Sequence, residues 1–121
     1  MKQVYKYWNL EDLFDHLKKQ AIEFNIPLPI VHEAVYSKDW NPIKDFNGCN
    51  FVQDDFHPFL PCFIHDYRWL VYGRKNIYDI EFRNNLLKFG YSTIKASMFY
   101  FAVRLGSVFY KIKDLFKNAN K

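Results

Sequence analysis

Apolar residues return every three or four positions over most of this chain. Leu10, Leu13, Phe14, Leu17, Ala21 and Phe24 fall at helical spacing, which predicts an amphipathic helix over about 9–24. Asn9 stands where an N-cap belongs, with Glu11 and Asp12 in the first turn. Asn25, Pro27 and Pro29 stop the run. The second half predicts three helices. Pro61 suits the first position of a helix over 62–72 that Gly73 closes. A second helix is predicted over 75–89, closed by Gly90, with Ile77 or Tyr78, Phe82, Leu86 and Phe89 facing inward. Ser92 or Thr93 is the predicted cap of a third, which reaches about 117. Its predicted inward stripe is Ile94, Met98, Phe101, Ala102, Leu105, Phe109 and Ile112.

Two stretches carry β signals. Residues 1–8 alternate polar and aromatic positions and predict a short strand or extended arm. Residues 28–36, LPIVHEAVY, are rich in β-branched and aromatic side chains and predict a strand. Turn residues fill 39–45, Asn47-Gly48 is a turn signal, and 51–61 read as irregular. The predicted class is α+β: mostly helical, with a small β element in the N-terminal half and three C-terminal helices. One domain is expected over 1–121, made of an N-terminal helix and β element (1–46) and a helical core (47–117).

Composition narrows the class. The chain has 121 residues, half of them apolar and a quarter charged, which is globular and excludes a disordered tail or a fibrous repeat. Aromatic residues make up 21%, so aromatic packing dominates the core, the surface or both. The longest apolar stretch, 96–110, carries Arg104 near its middle and is shorter than the roughly 20 apolar residues a span needs. Neither a signal peptide nor a transmembrane helix is expected. Cys49 and Cys62 are too few for a disulfide framework, so free buried thiols in a reducing compartment are expected. Residues 1–60 carry −3 and residues 61–121 carry +7, which together give the net +4 of the whole chain. The basic half suits a solvated helix surface or an anionic partner. Lys111, Lys113, Lys117 and Lys121, interleaved with Phe109, Tyr110 and Phe116, fit a helix C-terminus or a membrane surface. Nucleic acid rests on charge and aromatics alone and is not an expected partner.

The candidate chemistry centres on His65-Asp66. An ionisable pair inside an aromatic helix is costly to bury unless it is partnered. His65, Arg68 and Trp69 share a helical face. Asp79 lies just beyond the Gly73 turn, so antiparallel helices would bring it to His65. A carboxylate on one imidazole nitrogen fixes the tautomer and suits a general base acting on water, or else joins two helices as a buried clasp. Cys49, His57, Cys62 and His65 hold zinc-type ligands, but the spacing is loose and zinc is not expected. Asp54, Asp55 and Asp66 could supply oxygens to calcium, with Asp66 the stronger candidate and the other two loop residues. No nucleophile elbow and no Gly-rich phosphate loop is present. A phosphohydrolase of the His-Asp type needs further histidines, and none follows His65.

The ordered run Asn47-Gly48-Cys49-Asn50, His65-Asp66-Tyr67, Tyr78-Asp79-x-x-Phe82, Gly90 and Met98 to Gly106 resembles a small uncharacterised family encoded by tailed phages, prophages and bacteria. That family typically reads Asp-Gly-Ala-Ser where this chain reads Asn47-Gly48-Cys49-Asn50. The likeness covers 47–106. The family's two-helix core is in turn similar to the catalytic core of phospholipase A2. The resemblance implies His65 as base, Asp79 as the carboxylate that orients it, and a calcium ion held by Asp66 with Gly48 and Asn50. It implies phospholipid esters as substrate, a phospholipid membrane surface or other phage or host proteins as partners, and a place in the host cytoplasm or the virion. A non-enzymatic phage protein, virion component or host-interaction module, is the other expectation; there the His-Asp-Asp set only clasps helices.

Overall fold

The computed structural model describes residues 9–46 and 59–119, with Phe59 and 107–119 described as backbone only. These residues form six helices and no strand: α1 (Leu10–Phe24), α2 (Leu28–Tyr36), α3 (Pro42–Asp45), α4 (Phe59–Tyr72), α5 (Asn76–Lys88) and α6 (Thr93–Ala119). The α+β class is corrected to all-α for the described residues. The β reading of residues 1–8 lies outside them, as do Asn47-Gly48 and 51–58.

The ends of α1 follow local rules. The Asn9 side chain accepts from the Asp12 amide at 2.8 Å, and Asn25 terminates the helix in the left-handed region at φ 60°. The expected strand over 28–36 is α2. Pro29 sits in its first turn, where proline is at home, and its buried residues Val31, Ala34 and Val35 recur at helical spacing. They pack on Leu13, Leu17 and Ala21 of α1. Burial of a helical face against α1 outweighs the β-branched character of Ile30, Val31 and Val35. Asn41 caps α3 from its side chain, and the Asn41 amide donates to the Asp45 carboxylate at 2.8 Å.

α4 starts at Phe59, two residues earlier than predicted, so Pro61 lies inside its first turn. Gly73 and Gly90 both have positive φ, 99° and 92°, which a side chain rarely adopts; they end α4 and α5 where the spacing predicts. Ser92, rather than Thr93, caps α6 through a bond from the Lys95 amide at 3.1 Å. The core gathers Phe46, Leu60, Phe63, Ile64 and Tyr67 with the α1–α2 residues on one side and Phe82, Leu86 and Phe89 of α5 on the other. Aromatic edges meet there: Trp40 and Phe46 both contact Phe63, at 5.1 and 5.3 Å between centroids.

The predicted inward stripe of α6 is inverted. Ala96 and Val103 are buried, whereas Ile94, Met98, Phe101 and Leu105 are exposed, and Ala102 is half-buried. Phe109 and Ile112 lie beyond the described side chains. On α5, Phe82, Leu86 and Phe89 are buried as expected, Tyr78 is half-buried and Ile77 is exposed. No helix among the described residues is long and apolar enough to cross a membrane.

Candidate functional site

Three helices contribute to the site. The short Gly73 connection sends α5 back antiparallel to α4. His65 therefore meets Phe82, Trp69 meets Asp79, and Tyr72 meets Tyr78. α6 then packs on α5 and brings Arg104 to the same place. His65 and Asp79, which the sequence reading pairs, lie side by side: Nε2 of His65 is 2.7 Å from Oδ1 of Asp79. Two further donors complete the cluster. Trp69 Nε1 donates to the same oxygen at 2.9 Å, and Arg104 Nη1 donates to Oδ2 at 2.8 Å. A charge set in the middle of an apolar helix is the signal for Arg104, since such a residue needs a partner nearby.

Asp79 is fully buried. Burial pushes its carboxyl upward, but the bonds from His65 and Arg104 outweigh this and hold it below the ordinary value. It is ionised at neutral pH, and an ionised carboxylate only accepts hydrogen bonds. Nε2 of His65 therefore carries the hydrogen and donates. The His65 ring sits 4.2 Å from the Trp69 ring and stacks on Phe82 at 4.6 Å between centroids. This burial is the largest influence on the imidazole and lowers its pKa, against the opposing pull of Asp79. Arg104 already balances the Asp79 charge, which leaves His65 neutral. Its lone pair is on Nδ1, and no hydrogen bond to Nδ1 is made among the described residues.

That balance gives a first testable result. In Arg104→Met the Asp79 charge is uncompensated, so the His65 pKa should rise, read by NMR titration of the imidazole Cε1 proton. An unmoved titration would remove Arg104 from the account.

The surroundings stiffen the pair. Arg68, predicted to share the His65 face, turns instead to Glu81 on α5 in a two-pronged pair at 3.1 and 3.2 Å. Arg74 lies over the Trp69 ring at 4.3 Å. Glu33 of α2 accepts from Tyr67 at 2.6 Å and Tyr72 at 3.1 Å, tying α2 to α4. Burial, then the Glu33 bond, raises the Tyr67 phenol above its ordinary pKa. A strand over 28–36 concealed Glu33 from the sequence reading. A cleft of about 650 Å3 opens between α2, α4 and α5, on the Arg68–Glu81 side rather than at His65.

Asp66 follows His65 on α4 and is half-buried. The other expected calcium ligands, Gly48 and Asn50, lie outside the described residues, as do Asp54 and Asp55. Calcium takes six to eight oxygens. Asp66 alone does not meet that requirement, and no group of three or more His, Cys, Asp or Glu among the described residues could hold a metal. Of the zinc-type set, Cys49 and His57 also lie outside, and Nε2 of His65 is engaged by Asp79. Cys62 is disulfide-bonded, which corrects its reading as a free thiol.

Comparison with known proteins finds no family model, no curated protein and no solved structure that matches this chain.

Proposed function

We propose that this chain is a small phage-type hydrolase, similar to phospholipase A2, that cleaves phospholipid esters with His65 as general base. The supporting observation is the neutral His65 imidazole, held by an ionised Asp79 so that Nδ1 presents a lone pair. A base that is unprotonated at neutral pH and locked in one tautomer is what activation of water requires. In the proposed step a water oxygen bonds to the ester carbonyl carbon while its proton passes to Nδ1. The ester C–O bond then breaks, and the imidazolium returns the proton to the leaving alkoxide. Asp79 stabilises the transient imidazolium, and Arg104 and Trp69 keep Asp79 in place.

The substrate class comes from the resemblance over residues 47–106, and the basic half of the chain suits an anionic lipid surface. Calcium enters as an implication of that resemblance, to be tested. Of the two proposed locations, host cytoplasm and virion, the disulfide at Cys62 favours the virion, where oxidising surroundings preserve such a bond.

The burial of Asp79 favours a second reading. The same three bonds join α4, α5 and α6, which is a clasp without need of chemistry. The protein would then be a non-enzymatic virion or host-interaction component. One experiment separates the two. Wild type and His65→Ala are incubated with mixed anionic and zwitterionic liposomes, with calcium or chelator, and fatty acid release is followed by mass spectrometry. The hydrolase reading expects release by wild type and its loss in a His65→Ala chain that is still folded by circular dichroism. No release by wild type, or equal release by the variant, leaves only the clasp.

A further inference from the structure

We propose that α6 is the self-association surface of this protein and pairs with α6 of a second copy along a heptad seam. The inference rests on the inverted face of α6 and is independent of the hydrolase reading.

α6 presents opposite faces to two environments. Ala96 and Val103, one heptad apart, are buried against the body of the molecule. Turned away from them are Ile94, Met98, Phe101 and Leu105, exposed by 75, 63, 63 and 57%. Their spacing is four, three, four. The backbone remains helical to Ala119, and the sequence continues the same alternation at Val108, Ile112, Leu115 and Ala119. An a/d pattern sustained over the whole of α6 is the signature of a helix that meets another helix knobs-into-holes. A lipid surface asks only for a broad apolar half with no strict seven-residue repeat. The 3.5-residue period keeps one seam facing a partner along the roughly 40 Å of a 27-residue helix.

The seam points to a second copy because it is its own complement and its flanks do not repel. In a parallel pair the positions beside the seam bring Ser97 opposite Ala102, Arg104 opposite Phe109 and Lys111 opposite Phe116, so no like charges meet. Area agrees. Four large side chains exposed to this extent carry on the order of 500 Å2, toward the ~800 Å2 per partner of a stable interface. Four more heptad positions follow in the sequence.

The test is sedimentation equilibrium of the full chain at tens of micromolar, beside the double variant Phe101→Glu/Leu105→Glu. The expected result is a two-copy mass for wild type and a one-copy mass for the variant, with unchanged helical circular dichroism because both positions are exposed in the single chain. If the double variant loses its helix, Met98→Lys alone makes the same comparison. A one-copy wild type overturns the proposal, and so does a dimer that survives the substitutions. Two forms of the first outcome are informative. A monomer that co-floats with phosphatidylglycerol–phosphatidylcholine vesicles, and loses this in the variant, gives the seam to lipid. A monomer whose residues 1–8 shift their amide signals in the variant gives it to the N-terminal arm.

Discussion

Replacing Asp79 by Ala is expected to lower the free energy of unfolding by about 3–5 kcal/mol, the cost of removing one partner of a buried charged network. Three donors lose their acceptor together: the His65 Nε2–H, the Trp69 Nε1–H and the Arg104 guanidinium. Arg104 is 27% exposed and can turn its charge to water, which places the loss toward the lower end. His65 and Trp69 are held by the rings around them and cannot escape so readily. Asp79→Asn keeps the volume and two acceptor sites, but its amide must face one of the donors, so a smaller loss in the same direction is expected. Urea unfolding followed by circular dichroism measures both. A loss under about 1 kcal/mol in Asp79→Ala would be that of an ordinary surface contact and would refute the clasp at the centre of either functional reading.

Stability should also fall with acid in two windows. His65 has its folded pKa lowered by burial, below the ordinary 6.5. The unfolded chain therefore binds a proton that the folded chain resists. The stabilisation is complete above pH 6.5 and drains as the pH falls from there through the lowered folded value. Asp79, held down against its own burial by His65 and Arg104, adds a second window: full above its ordinary 3.8, and lost as the pH falls through its folded value. His16 on α1 is lowered as well, by burial and then by Lys19, and has the same sign as His65. A His65→Gln variant isolates the term. Wild type should show a melting temperature that drops between pH 7.5 and 5.5 more steeply than the variant does. Parallel curves would mean that His65 carries no linked proton. The same titration bears on chemistry: if His65 is the base for hydrolysis, the rate should decline on the acid side as Nδ1 becomes protonated.

Much of the helix layout was legible along the chain. Asn9, Gly73, Gly90 and Ser92 mark ends that the structure keeps, because caps and left-handed turns depend on a few consecutive residues. The pairing of His65 with Asp79 was also legible, since a three-residue connection leaves antiparallel packing as the short route between two helices. Segment 28–36 was not. Its β-branched residues fit a strand locally, and only the presence of α1, ready to bury Val31, Ala34 and Val35, makes the helix the better state. Arg104 and Trp69 stood in view as residues, but nothing local says that two helices aim them at one carboxylate.

The face of α6 shows the division most clearly. Periodicity identifies an apolar stripe without saying what the stripe touches. Ile94, Met98, Phe101 and Leu105 form the more hydrophobic face, yet Ala96 and Val103 are the ones buried, because Arg104 must reach Asp79 and Ser97 must meet Arg83 at 3.1 Å. Satisfying a fully buried carboxylate decides the rotation of the helix, and the larger apolar stripe is left facing outward. Local order along the chain thus marks the ends of most helices, while tertiary contact makes 28–36 a helix and the demand of one buried charge, met only in three dimensions, determines which face of α6 looks inward.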